Sequence, residues 1–299
     1  MTLHPKLVGI PHIYYINLDN ELKRREYMES QFKNLGIKNY TRVNASKFSK
    51  NDFDSWRDVI HFDDIVPKNK IKSLCVSLSH IETLKEWVEN TEEEHVILME
   101  DDTDLSLVEY WHFDWEYLMN NIPYDWDAIQ LMYNSALKIY CFLHPKRGIT
   151  WNGPILINRT YAKKLISLFY SKEKYNFIKK TNRMNLHTIH NAIFDTRFVI
   201  VDVDDFLGFS GKVYQLPLFT QNPELDNPPK LNHIKSKKAY LFWWTKMRDK
   251  FTLDDFFTYG KDYDGKMIIE LGEKHCFQDS TSIPLSTISK SDIESWKQF

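Results

Sequence analysis

Three consecutive carboxylates, Glu100, Asp101 and Asp102, directly follow the apolar run Val96-Ile97-Leu98-Met99. Side chains so crowded repel one another unless a cation intervenes. Hard ions such as Mg²⁺ or Mn²⁺ need only one or two carboxylates when phosphate oxygens complete the shell. The chemistry this pattern offers is therefore a divalent ion holding a phosphorylated ligand. The plainer reading is that Glu100 and Asp101 cap the segment that follows while Asp102 is solvated. Other residues with chemical potential are Arg24 and Arg25, Ser79 and His80, the pair His187 and His190, the run Asp202-Val203-Asp204-Asp205, and His233.

Each group needs an element to place it. His12–Leu18 is a β-branched and aromatic run that breaks into Asp19-Asn20-Glu21, the pattern of a central strand ending in a loop. Leu22, Tyr27, Met28, Phe32 and Leu35 then fall near helical spacing, and Gly36 is a natural stop. Tyr40–Val43 is a second strand, followed by a polar excursion to about Lys72. Ser77-Leu78-Ser79-His80 leads a helical pattern through Ile81, Leu84, Trp87 and Val88, and His95–Met99 is the strand that ends on the triplet. Further strands are expected at 126–131, 153–157 and 198–201, with a helix at about 159–170. Strands alternating with helices predict an α/β fold, a mostly parallel central sheet flanked by helices, with ligands at the carboxyl ends of its strands.

A net charge of −2 and a pI near 6.6 supply no positive field for a phosphate backbone, which argues against nucleic acid as a partner. Aromatic residues make up 15% of the chain; Trp243 and Trp244 either stack a sugar or close the packing near the C-terminus. Cys75, Cys141 and Cys276 form no CxxC pair and read as reduced structural thiols. The first residues lack the basic-then-apolar layout of a signal peptide, and no apolar run approaches the about 18 residues of a membrane span. A soluble, cytoplasmic protein without a transmembrane segment is expected.

Taken in order, the motifs resemble glycosyltransferase family 25, which includes lipopolysaccharide-decorating and collagen galactosyltransferases. The resemblance runs through Tyr15-Ile16-Asn17-Leu18-Asp19 with Arg24-Arg25, then Arg42-Val43-Asn44-Ala45, Leu78-Ser79-His80 and Leu98-Met99-Glu100-Asp101-Asp102. It continues at Trp126-Asp127-Ala128-Ile129, Gly153-Pro154-Ile155-Leu156-Ile157, Asp204-Asp205-Phe206-Leu207 and 213–221, covering roughly residues 12–222. It implies a GT-A fold over a single domain spanning residues 1–299, with a catalytic core at about 10–222 and a C-terminal extension at about 223–299. It also implies a UDP-galactose or UDP-glucose donor, Mn²⁺ or Mg²⁺ as cofactor, a glycan or protein acceptor, and transfer with inversion.

By that resemblance Leu18, Asp19, Arg42, Asn44 and Ala45 frame the nucleotide, Glu100 lies near the ribose with Asp101 orienting its neighbours, and Asp102 binds the metal together with Glu100. A further metal ligand from late in the chain is usual in this fold, and His233 is the candidate. Arg24 and Arg25 would reach the diphosphate, unless they are solvated arginines paired with nearby glutamates. Ser79 and His80, placed at a helix start, would meet phosphate or ribose oxygens, though a serine there also serves as a simple cap. Asp204 or Asp205 is the general base that inversion requires.

Two other classes fit parts of this pattern. A metal-dependent nucleotidyltransferase or phosphohydrolase also gathers carboxylates at strand ends, although the chain has no GxxxxGK[ST] loop. A non-catalytic module that binds a sugar nucleotide would keep the fold and lack the base.

Overall fold

The computed structural model describes residues 2–61, 71–134, 138–140, 143–145, 151–176, 178–180, 198–200, 203, 206–207, 211–226, 228, 231–242, 244–245, 253, 257 and 276–278. Its centre is a seven-stranded sheet. In chain order the strands are β1 (His12–Asn17), β2 (Tyr40–Asn44), β3 (His95–Glu100), β5 (Ala128–Gln130), β6 (His144–Pro145), β7 (Ile155–Asn158) and β8 (Val213–Gln215), in the spatial order β2-β1-β3-β7-β5-β8-β6. Outside this sheet, the short strand β4 (Thr103–Asp104) pairs antiparallel with β9 (Thr220–Gln221).

Five of the seven strands share one direction. β1 is parallel to both β2 and β3, and β8 is parallel to β5, whereas β7 runs against both β3 and β5 and β6 runs against β8. The sheet is thus mixed and mostly parallel. The expected strand at 153–157 exists as β7, reversed in direction.

Period-two burial on β3 explains why the sheet is covered on both sides. Ile97 and Met99 face one core with Tyr15, Met28, Phe32, Trp111 and Trp115. Val96 and Leu98 face the other, with Leu74, Leu78, Ile81, Tyr161 and Leu165. The helices that cover these faces are α1 (Leu22–Leu35), α2 (Ile71–Asn90), α3 (Arg159–Phe169) and α4 (Leu231–Phe242). Gly36 ends α1 in the left-handed conformation, φ 70°, and donates to the carbonyls of Lys33 and Phe32.

The expected start of α2 needs correction. The helix is already formed at Ile71, so Ser79 and His80 lie more than two turns inside it and not at its N-terminus. Trp244 is fully buried and donates to the Pro217 carbonyl at 3.1 Å, so it closes the core and offers no face to a sugar. Trp243, the histidines His187 and His190, and the expected bases Asp204 and Asp205 lie outside the described residues. Among the described residues no helix is long and apolar enough to cross a membrane.

Candidate functional site

After β1 the chain passes through α1 to β2 on one side, and it later returns as β3 on the other side of β1. The carboxyl ends of β1 and β3 therefore flank a topological switch point, where open α/β sheets form their binding crevice. The polar residues of the motifs meet there.

Asn17, the last residue of β1, donates from Nδ2 to Asp101 Oδ2 at 2.7 Å and accepts at Oδ1 from Arg42 Nε at 2.9 Å. Arg42 also donates to Asp19 Oδ1 at 2.6 Å, and Asn44 donates to Asp19 Oδ2 at 2.7 Å. Ser46 Oγ accepts from the Asp19 backbone N–H, while Asn44 caps the short turn Ala45–Phe48. Asp19 is exposed, and the Arg42 hydrogen bond holds its carboxyl below the ordinary value. Leu18, next to it, is partly open to solvent.

Arg24, in the first turn of α1, is the hub on the other side of Asp101. Its NH1 donates to Asp101 Oδ1 at 2.8 Å and reaches Asp102 Oδ2 at 3.4 Å. Its NH2 donates to the Leu225 carbonyl at 3.3 Å and lies 3.9 Å from Asp226 Oδ1. Arg25 does none of this. It is exposed to solvent at 44% of its side chain and pairs with Glu29 one turn on at 2.8 Å, the ordinary solvated arginine.

The β4–β9 pairing brings the late segment to the triplet. Gln221 Nε2 donates to Asp102 Oδ2 at 2.8 Å, and the Asn222 N–H donates to the Asp102 carbonyl at 2.8 Å. Asp226 and His233 follow, joined at 2.6 Å between Oδ2 and Nδ1. A carboxylate cannot donate, so Nδ1 carries the proton and a neutral ring presents a lone pair at Nε2. Four residues further along α4, Lys237 pairs with buried Asp104 at 2.7 Å. The Tyr27 hydroxyl bonds with both Asp104 and Asn222, and its burial holds it in the neutral form.

Burial raises the Asp102 pKa. Arg24 and Gln221 act against that rise, while the neighbouring charges of Asp101 and Asp226 add to it. For Arg24, burial alone would lower the pKa, but the hydrogen bond to Asp101 and the charges of Asp102 and Asp101 outweigh it. The guanidinium is thus the secure charge of the cluster, and the cost of burial falls on Asp102. Four carboxylates (Asp19, Asp101, Asp102, Asp226) and two guanidiniums (Arg24, Arg42) leave a formal excess of two negative charges.

The expected site residues divide accordingly. Asp19, Arg24, Arg42, Asn44, Asp101, Asp102 and His233 are brought into one connected network. The carboxylates that meet Arg24 are Asp101, Asp102 and Asp226, and Asp101 also accepts from Asn17. Ser79 and His80 bond to the Cys75 and Val76 carbonyls of their own helix. Burial depresses the His80 pKa to about 4, so the ring is a neutral core group. Asn17, Gln221, Asn222 and Asp226 were missed. Gln221 ends the stretch 213–221 that carries the resemblance, and the signal for Asn222 and Asp226 is the cluster of Asn, Asp and Pro at 221–229, a composition that marks loops without saying what they touch.

No protein-family model matches the chain, and no curated protein sequence matches it. Among solved structures it is similar to A197 from STIV, at 12% identity over 71% of this chain and 84% of that one, with a TM-score of 0.33. It is also similar to HddC from Yersinia pseudotuberculosis, solved complexed with GMP-PN, at 12% identity over 66% of this chain and 97% of that one, with a TM-score of 0.26.

Proposed function

We propose that this chain is a GT-A glycosyltransferase of the family 25 kind, which transfers a hexose from a UDP-sugar to a glycan or protein hydroxyl with inversion. The observation that carries the reading is the unbroken polar chain Asp19–Arg42–Asn17–Asp101–Arg24–Asp102. It joins the motifs of the resemblance across the switch point, where a nucleotide would lie.

Asp102 and His233 are the side chains that would hold a divalent ion. Asp102 Oδ1 has no hydrogen-bond partner among the described residues, and neither has His233 Nε2, whose ring is oriented by Asp226 in the way carboxylates orient metal-bound imidazoles. No group of three or more His, Cys, Asp or Glu side chains among the described residues is arranged to hold an ion by itself. Mn²⁺ or Mg²⁺ held by Asp102 and His233 would therefore depend on donor phosphate oxygens to complete its shell. The ion would supply charge neutralisation of the diphosphate leaving group. Asp101, with both oxygens engaged, orients Arg24 and Asn17. Asp204 or Asp205 is proposed as the base toward the acceptor hydroxyl.

The test is hydrolysis and transfer from a panel of UDP-hexoses with and without Mn²⁺, for the wild type and Asp102→Ala. Metal-stimulated turnover is expected in the wild type and lost in the variant, with the fold retained by circular dichroism. Unchanged turnover in folded Asp102→Ala would sink the metal assignment. Tight calorimetric binding of UDP-sugar with no transfer to any glycan or protein would favour a binding module instead.

A further inference from the structure

The net charge of −2 conceals an uneven distribution. α3 contains no acidic residue, and its solvent face is made of Thr160, Lys163, Lys164, Ser167 and Leu168. Leu168 is 43% exposed, one of the few large apolar side chains left in water. A tight hairpin follows, in which Tyr170–Ser171 pairs antiparallel with Lys174–Tyr175, and its exposed tip adds Lys172 and Lys174 against one carboxylate, Glu173. Among the described residues Lys163, Lys172 and Lys174 have no acidic group within ion-pair distance, and the Lys164 ammonium lies 5.9 Å from the Tyr161 ring centroid. The adjoining turn Arg57–Val59 carries one charge of each sign. The hairpin is firmly held: Lys85 of α2 places its ammonium 3.7 Å from the Tyr170 ring centroid, Glu82 accepts from the Tyr175 hydroxyl, and the His61 N–H donates to the Tyr175 carbonyl at 2.8 Å. Lys172 and Glu173 are nonetheless left-handed, φ 50° and 62°, in a two-residue turn that asparagine and glycine fill more readily. Turn stability is therefore no reason for a lysine there. α3 starts at the amino end of β3, where the Arg159 N–H donates to the Glu94 carbonyl, and runs back along α2 to bring Tyr170 to Lys85. Leu168 and the hairpin thus lie toward the carboxyl end of the sheet, which carries the crevice.

We propose that the solvent face of α3 and the hairpin tip form a docking surface for an anionic membrane, with Lys163, Lys164, Lys172 and Lys174 against lipid phosphates and Leu168 entering the headgroup–acyl boundary. Charge and residue type select this partner. All four cations are lysines, compact point charges whose stems lie along apolar surface while the ammonium stays at the headgroups. Arginine, whose fork suits phosphodiesters and protein interfaces, is absent from this set, and lysine is depleted where proteins meet proteins. A patch this short also gives a nucleic acid no continuous basic track, since the rest of the chain carries the acidic excess. One apolar side chain and four lysines give reversible attachment, each lysine contributing about fivefold in affinity at an acidic surface. Attachment there places the crevice end of the sheet beside the lipid, and requires nothing of the reaction proposed above.

Co-sedimentation of the full chain with vesicles of phosphatidylcholine alone, and of phosphatidylcholine with about 30% phosphatidylserine, tests this at low and high salt. The wild type is expected to bind the anionic vesicles more tightly than the neutral ones by about a hundredfold, with most of the gain lost at high salt. Combining Lys163→Gln, Lys172→Gln and Lys174→Gln should weaken binding to anionic vesicles about a hundredfold. Leu168→Ser should weaken it about tenfold, and it decides alone should the triple variant not fold. Equal binding of the wild type to both kinds of vesicle, or undiminished binding by either folded variant, overturns the inference. Tighter binding to a short DNA duplex than to the anionic vesicles overturns it as well. None of these residues belongs to the polar network around Asp101, so turnover of UDP-hexoses in solution should match the wild type, and failure of one reading leaves the other standing.

Discussion

The ion pair between Lys237 and Asp104 should hold α4 against the β4–β9 pair, and its strength follows from its setting. Asp104 is buried, with 4% of its side chain exposed, and its other oxygen accepts the Ser106 N–H at 2.8 Å. Lys237 keeps 35% exposure. An exposed pair contributes about 0–1 kcal/mol, and breaking a fully buried one costs about 3–5 kcal/mol. With one partner buried and the other partly wet, Lys237→Met should cost about 2 kcal/mol, most of it from leaving Asp104 with one charge partner fewer. Asp104→Asn removes that charge while retaining an acceptor for Ser106, so the double variant should be less destabilised than the sum of the singles, by about 1 kcal/mol. Urea unfolding of the four proteins at neutral pH, followed by tryptophan fluorescence, measures this cycle. A coupling below about 0.3 kcal/mol would refute the idea that the pair fixes α4, because independent sites add within that margin.

Gly36→Ala should destabilise by about 2 kcal/mol: the left-handed φ of 70° already strains any other residue, and an added Cβ would meet the Thr2 carbonyl oxygen at 2.2 Å. Chemical denaturation settles it, with a change under 0.5 kcal/mol counting against the cap. His80 is neutral in the native state down to about pH 4 but takes a proton near 6.5 when unfolded, so its contribution is present above 6.5 and is lost as pH falls toward 4. The stability lost between pH 7 and pH 5 should accordingly shrink by about 2 kcal/mol in His80→Gln. An unaltered pH profile would mean that the ring takes up its proton as readily in the fold as in the unfolded chain. The Cys75 thiol, pushed up to about 11 by burial, should resist alkylation at pH 8 in the native protein and react once it is unfolded.

The ends of β1, α1 and β3 were legible because their patterns are local. Apolar runs stop at Asp19 and at the triplet, and the helical spacing from Leu22 stops at Gly36. The early part of α2 was not legible because residues 71–76 bury only Leu74, too little to set a helical period. The reversal of β7 was equally hidden, since a short apolar strand reads the same in either direction. Within the site, the triplet and the arginines announced themselves by type. What decided their roles lay elsewhere: Asp226 separates Arg24 from Arg25, and Asn17 makes Asp101 central, through contacts no spacing encodes.

The guanidinium of Arg24 donates to a carbonyl 201 positions further along the chain. During synthesis the arginine and the triplet leave the ribosome long before Gln221, Asn222 and Asp226 exist to meet them. The acidic centre is therefore among the last parts of the protein to be completed, and a fragment stopped near residue 220 would carry every strand of the sheet while lacking one wall of its own crevice. Gln221, Asn222, Asp226 and His233 belong to the same network as the triplet, and an expression boundary drawn at the end of the sheet would sever them from it.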